Sequence, residues 1–384
     1  MTDSKHQTIY ATFADSVARY PARPMLHVPA TTGALYGTGE QTLSYAEVSD
    51  RVAEVARDYR ATSLGPGDRV ALMLENRPVF FVHFLALNDL GVSVVPIYHD
   101  LPADEIAYRL DHSDACLLVT LPAHRELAAA AIETAQRPVP CATTGESLPP
   151  LLETRRAGAA DPGDEAAVVY TSGSTGTPKG CLLSNEYFIA LGHWYMDQGG
   201  LCAMSPDGER LITPLPLSHM NALACSFMAM VMSGGCLVQL DRFHPSTWWE
   251  EVRASGATIV HYLGVMPAIL LKLEPGADED FSRQVRFGFG AGVDPRHHRV
   301  FEERFGFPLI EGWAMTETGA GACIAANREP RHIDERCFGK VPPFMEYRIV
   351  DDAGRDCDIG TPGELLVRSA GDDPRRNFFS GYFK

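Results

Sequence analysis

The stretch YTSGSTGTPKG, residues 170–180, sets Thr171, Ser172, Ser174, Thr175 and Thr177 among Gly173, Gly176 and Gly180, with Lys179 near its end. Hydroxyl and backbone N–H donors, glycines that let an oxygen approach the chain, and one fixed positive charge are what an anion needs for binding. The spacing differs from the common phosphate loop, Gly-x-x-x-x-Gly-Lys-Ser/Thr, because here the lysine stands between Pro178 and Gly180. A flexible Ser/Gly linker is the bland alternative. It does not explain a strand before the loop, a Pro-Lys-Gly exit and a helix after it.

Two other stretches carry chemistry. GWAMTETG, residues 312–319, offers Trp313 for stacking on a planar ring, Thr316 as a hydroxyl donor and Glu317 as a carboxylate for a divalent cation. A surface turn with a buried tryptophan accounts for that segment equally well if it stands alone. PLPLSHMNAL, residues 214–223, places His219, Met220 and Asn221 between a strand end and an apolar helix, where a lone histidine is more often a packing residue. FGFGAGVD, residues 287–294, lacks Gly-x-Gly-x-x-Gly spacing and implies only a close backbone approach to a planar ligand edge.

The elements that position these residues alternate. AAVVY reads as a buried strand before the loop, and Ser184 as the cap of a helix to about Asp197, which makes residues 171–180 a strand-to-helix loop. From Arg69 onward RVALM, PVFFVHFLALND, VSVVP, a helix over residues 102–112 and ACLLVT alternate strand and helix. The alternation resumes with ERLITPL, a helix MNALACSFMAMVM, CLVQL, the helix STWWEEVRAS, ATIVHY and VRFGFG. Such punctuation predicts an α/β fold, with mostly parallel sheets covered by helices on both faces. Past residue 335 EYRIV and ELLVR read as antiparallel strands of a small β-rich subdomain. The expected units are residues 1–165, 166–334 and 335–384.

Composition narrows the partners. The 384 residues carry 33 basic and 49 acidic side chains, a formal charge of −16, which disfavours nucleic acid and anionic membrane. The nine cysteines form no Cys-x-x-Cys pair, and reduced buried thiols are expected. The start, MTDSKHQTIYATF, has no signal-like apolar core, and the longest apolar stretch, residues 220–232, is shorter than a membrane span, so a cytoplasmic location is expected.

These segments in this order resemble the adenylate-forming superfamily of acyl- and aryl-CoA ligases, peptide-synthetase adenylation domains and luciferases. The resemblance runs from LSYAEVSDRVA (43–53) and GPGDRVALMLENRPVFFVHFLALNDLGVSVVP (65–96) to GTPGELLVR (360–368) and SGYFK. The histidine of PLSHMNAL is similar to the acyl-CoA ligase form of that segment.

The resemblance implies two stacked sheets plus a small distorted β-barrel, ATP and Mg2+ as requirements, a small carboxylic acid as substrate, and coenzyme A as acceptor, with a carrier protein or a non-catalytic adenylate-binding role as alternatives. It implies that Thr171, Ser172, Gly173, Ser174, Thr175, Gly176, Thr177 and Lys179 embrace the β- and γ-phosphates. Gly290, Ala291, Gly292, Gly312, Trp313, Ala314 and Met315 would border the adenosine, Thr316 the α-phosphate, and Glu317 would hold Mg2+. His219 would sit near the acyl carbonyl, with Trp194, Met220, Asn221, Leu263, Gly264, Gly288, Gly319 and Ala320 as the acid's pocket. Their small side chains allow either a bulky acid or close backbone packing. The family commonly has Tyr-Gly where Trp313-Ala314 stand. Its ribose-binding Thr-Gly-Asp segment, hinge and small lysine-bearing domain would follow residue 384, so the chain is expected to be the large N-terminal domain.

Overall fold

The computed structural model describes residues 7–151, 164–172, 176–276 and 279–383. Two sheets organise them. The first runs Gly381–Phe383, Lys179–Ser184, Glu165–Thr171, Ser93–Pro96, Arg69–Met73, Leu117–Thr120 and Cys141–Thr143 from edge to edge. The second runs Ile324–Ala325, Leu309–Trp313, Phe287–Ala291, Ile259–Leu263, Arg210–Thr213, Cys236–Gln239, Pro24–Val28 and Gln41–Ser44. Strand pairing is parallel through the interior of both sheets and antiparallel toward edges.

Side-chain alternation along these strands builds three apolar layers, because successive residues of a strand face opposite ways. Val70, Leu72, Val94, Leu117, Val119 and Val169 face a central core shared with Leu26, Leu211, Leu237, Ile259 and Phe287 of the second sheet. Their neighbours Ala71, Met73, Val95, Leu118 and Val168 pack under helices Ala103–His112 and Arg125–Thr134. Ile212, Val238, Val260 and Leu309 pack under helices Trp248–Ala254, Val265–Leu270 and Pro295–Phe305. Helices Pro78–Asp89, Asn185–Met196 and Phe227–Ser233 fill the layer between the sheets, which is why they are apolar on all sides.

Two expectations need correction. The divisions at residues 165 and 334 do not separate the sheets. Residues 24–44 lie in the second sheet beside strands from 210 onward, while 165–184 and 381–383 complete the first. Strands pair by apolar complementarity and not by nearness in sequence. The β-rich end forms a two-stranded antiparallel ribbon, Met345–Val350 with Glu364–Ser369, and no closed barrel among the described residues. Its last strand leaves the ribbon to pair with Lys179–Ser184.

Candidate active site

The hydroxyl-rich loop closes a β-hairpin. Strands Glu165–Thr171 and Lys179–Ser184 pair antiparallel with Thr171 opposite Lys179, so the loop joins strand to strand and not strand to helix as expected. In KGCLLS, Cys181 and Leu183 are buried, a period-two pattern too short to stand out before the helix. The helix itself, Asn185–Met196, follows directly, with Ser184 Oγ accepting from Tyr187 N at 3.2 Å as its cap. Thr171 is half-buried; Ser172, Gly176 and Thr177 are exposed, and Gly176 has a φ of 89° that suits glycine. Gly173, Ser174 and Thr175 lie outside the described residues.

Glu317 meets this hairpin from the second sheet. Strand Leu309–Trp313 ends in a turn closed by Gly319 N donating to Met315 O at 3.1 Å. Tyr187 Oη donates to the carbonyl of half-buried Thr316 at 2.9 Å, which fixes the turn against the capped helix. The Glu317 carboxylate accepts from Tyr382 Oη at 2.8 Å and from Cys181 Sγ at 3.8 Å. Cys181 Sγ is also 3.8 Å from Thr171 Oγ1, and Lys179 Nζ lies 5.1 Å from the centre of the Tyr382 ring. Burial, reinforced by the Glu317 charge, pushes both the Cys181 thiol and the Tyr382 phenol up to about 12, so both remain protonated donors to it. A half-exposed carboxylate with hydroxyls and an ammonium around it fits a Mg2+-bound polyphosphate.

The expected adenine edge is held by a residue that the sequence did not single out. Buried Glu311 accepts from Gly292 N at 2.8 Å, Val293 N at 3.2 Å and Tyr262 Oη at 2.8 Å, pinning the turn in which Gly292 has a φ of 84°. A charged residue inside the apolar strand PLIEGW was the available signal. A Cβ on Gly290 would stand 2.3 Å from Tyr262 O, and one on Gly264 1.8 Å from Gly292 O. Ala291 and Gly292 are exposed beside them. Trp313 is half-buried, its ring stacked on Phe338 with centroids 6.2 Å apart at 29°. One indole face is therefore covered by protein. Gly312 lies within the same strand, and Ala314 and Met315 are exposed beyond it.

Where the acid is expected, His219 is exposed, and neighbouring protein lowers its pKa through desolvation. The expected single helix after it is two pieces, a π-helical turn Asn221–Ser226 and the α-helix Phe227–Ser233. The cause is a polar cluster that the sequence reading missed. Ser226 Oγ donates to Asn221 O at 3.0 Å and lies 2.9 Å from His261 Nδ1, which is 3.1 Å from Asn221 Oδ1. His261 Nε2 is 2.8 Å from Tyr195 Oη, and complete burial lowers the His261 pKa to about 3, so the ring is neutral. The cluster ties the π turn to the helix that carries Trp194, whose ring meets Phe289 edge-on at 6.0 Å. π turns recur at functional sites.

The small residues serve packing. A Cβ on Gly288 would stand 2.7 Å from Leu309 Cδ2, and one on Gly319 2.4 Å from Tyr187 Cε2, while Ala320 is buried in the central core. These three residues therefore face packed protein, and Gly264 serves the strand crossing. Leu263 and Met220 remain open to solvent in part. Trp194 instead borders a cavity of about 680 Å³ lined also by Gln198, Ala325, Arg328, Lys340 and Phe344. Its lining sets Arg328 and Lys340 beside Asp197 and Glu329, so its formal charges balance.

No described helix is long and apolar enough to cross a membrane. The chain is 30% identical to a sulfoacetate–CoA ligase of Cupriavidus necator over 98% of its length and 71% of that protein. It is 27% identical to a crotonobetaine/carnitine–CoA ligase of Salmonella paratyphi A, covering 88% of this chain and 67% of the other. Its fold matches the N-terminal domain of FACL13 from Mycobacterium tuberculosis with a TM-score of 0.80 at 21% identity, over 98% of this chain and 91% of that one. It also matches the Bacillus subtilis O-succinylbenzoate coenzyme A synthetase MenE in complex with ATP and magnesium, with a TM-score of 0.77 at 23% identity, over 98% and 73% of the two chains. Since residues 13–383 match it throughout, the chain belongs to the AMP-binding enzyme family.

Proposed function

We propose that the protein activates a small carboxylic acid with ATP, forming an acyl adenylate and pyrophosphate, and passes the acyl group to coenzyme A. The observation that carries this reading is the meeting of Thr171, Lys179 and Glu317 at one mouth between the sheets, with Cys181 and Tyr382 linking them. The acid's carboxylate oxygen attacks the α-phosphorus, and the bond to the bridging oxygen of pyrophosphate breaks. Lys179 and the hairpin hydroxyls offset charge on the departing pyrophosphate, and Thr316 contacts the α-phosphate. Mg2+ held at Glu317 supplies further neutralisation of that charge. The thiol then displaces AMP at the acyl carbon near His219, giving a thioester.

Membership in the AMP-binding family and two CoA-ligase relatives support the acceptor. All nine cysteines are free thiols, which supports a cytoplasmic location. The test is a panel of carboxylic acids with ATP, Mg2+ and coenzyme A, reading pyrophosphate, orthophosphate and thioester separately. Acid-dependent pyrophosphate with thioester is expected. Orthophosphate release would overturn the reading, and pyrophosphate without thioester would move the acceptor to a carrier protein.

A further inference from the structure

Three loops leave the carboxyl ends of three adjacent parallel strands of the first sheet. The loop after Arg69–Met73 carries Glu75, that after Ser93–Pro96 carries His99, and that after Leu117–Thr120 carries His124. From Arg69–Met73 the chain goes first to the neighbouring strand on one side and then to the neighbour on the other. Strand order therefore reverses here, and open α/β sheets leave a ligand crevice at that point.

One ligand-type atom from each of Glu75, His99 and His124 lies within 4.8 Å of the other two. His124 Nε2 is 2.7 Å from Glu75 Oε1, and the two imidazoles stack with centroids 5.0 Å apart at 28°. Arg77 Nε donates to the other carboxylate oxygen at 2.6 Å, which leaves Oε1 facing His124. Glu75 adopts a φ of 56°, a left-handed conformation that costs a side-chain-bearing residue energy and recurs at ligand sites. A His–Glu hydrogen bond alone would explain His124 and Glu75. It leaves His99 unexplained: Nε2 faces Asp100 Oδ1 at 3.3 Å, while Nδ1 is buried with no hydrogen-bond partner.

We propose that Glu75, His99 and His124 form a binding site for a divalent transition-metal ion of the Zn2+ type, with the remaining position open to water. Two imidazoles and a carboxylate at a half-buried site suit zinc, and Asp100 would orient His99 as an outer carboxylate. Tetrahedral ligands about 2.1 Å from zinc stand roughly 3.4 Å apart, so His124 Nε2 and Glu75 Oε1 part by about 0.7 Å while the more distant ligand atoms draw in by up to about 1.4 Å. Glu75, His99 and His124 would replace waters of the hydrated ion, and the proton between His124 Nε2 and Glu75 would pass to Nδ1 of the same ring or, from the imidazolium, to solvent, so that His124 ligates as a neutral imidazole. The ion would brace the step into Asn76, whose amide donates to Leu215, Leu240 and Asp241 carbonyls of the second sheet's loops.

The full chain without a histidine tag, stripped with chelator, is titrated with ZnCl2 by calorimetry and with Co2+ by absorption. About one equivalent is expected, with a rise in Tm on zinc addition and a Co2+ spectrum without thiolate charge transfer. His99→Gln and His124→Gln, checked as folded by circular dichroism, should each weaken binding by about tenfold or more, while His193→Gln does not. Wild-type zinc affinity in both variants, absence of saturable binding, or a thiolate band would overturn the proposal.

Discussion

At the scale of single residues, Glu317 and Trp313 separate chemistry from packing. Glutamine at 317 keeps the shape and an acceptor for Tyr382 Oη but removes the charge that faces the hairpin. Glu317→Gln is expected to slow acid-dependent pyrophosphate release about 100- to 1000-fold while changing stability by less than about 0.5 kcal/mol, read by kinetics beside thermal unfolding. Trp313 belongs to both categories, because its ring stacks on Phe338 and packs against a cluster holding Ile324 and Met345. Trp313→Ala should destabilise the fold by about 1 to 3 kcal/mol and also weaken ATP binding to the folded fraction, and Trp313→Phe should restore most of the stability. Unaltered ATP affinity in folded Trp313→Ala would assign the ring to packing alone. The motif-bearing residues were legible because their types announce chemistry. Their supports were not: Tyr382 reaches Glu317 across 65 positions and His261 reaches Asn221 across 40, and no local pattern marks such pairs.

At the scale of elements, strand and helix alternation was readable wherever apolar periods were long, as in PVFFVHFLALND, which forms the helix Pro78–Asp89. It misled where a strand was short, as in KGCLLS, or where a polar side chain redirected the backbone. The hairpin after Thr171 was read as a strand-to-helix loop, and the π turn at Asn221–Ser226 as ordinary helix, because Ser226 reaches back five residues to Asn221 O. Glycine at the strand crossing belongs to this scale too. A Cβ at residue 264 would overlap Gly292 O, so Gly264→Ala should force apart the ends of Ile259–Leu263 and Phe287–Ala291, where Gly264 N now donates to Ala291 O at 2.8 Å. A loss of about 1 to 3 kcal/mol is expected in denaturant unfolding, with weaker nucleotide binding alongside.

At the scale of the whole molecule, the sheets share one core and a few polar rivets. Asn76 is the clearest: its amide donates to three carbonyls, and its Oδ1 accepts from Leu217 N at 3.0 Å. Asn76→Ala strands those groups in a buried place and should cost about 2 to 4 kcal/mol, measured by denaturant unfolding. Acid should loosen a second tie. Burial raises the Glu302 pKa, but hydrogen bonds from His298, Arg331 and Leu309 N outweigh it and hold the carboxyl at about 2. A depressed folded pKa stabilises above the unfolded value, so this contribution, about 2 to 3 kcal/mol, is present above about pH 4.5 and lost as pH falls toward 2. Glu302→Gln should flatten unfolding stability across that window. The strand Lys179–Ser184 runs without a break into the helix that carries Trp194, Tyr195 and, through His261, the π turn beside His219. With phosphate at Lys179 and the acid beside His219, as proposed, strand and helix would act as one lever between the two. Thermodynamic reciprocity then requires that whatever factor bound ATP lends to the acid's affinity, the bound acid returns to ATP.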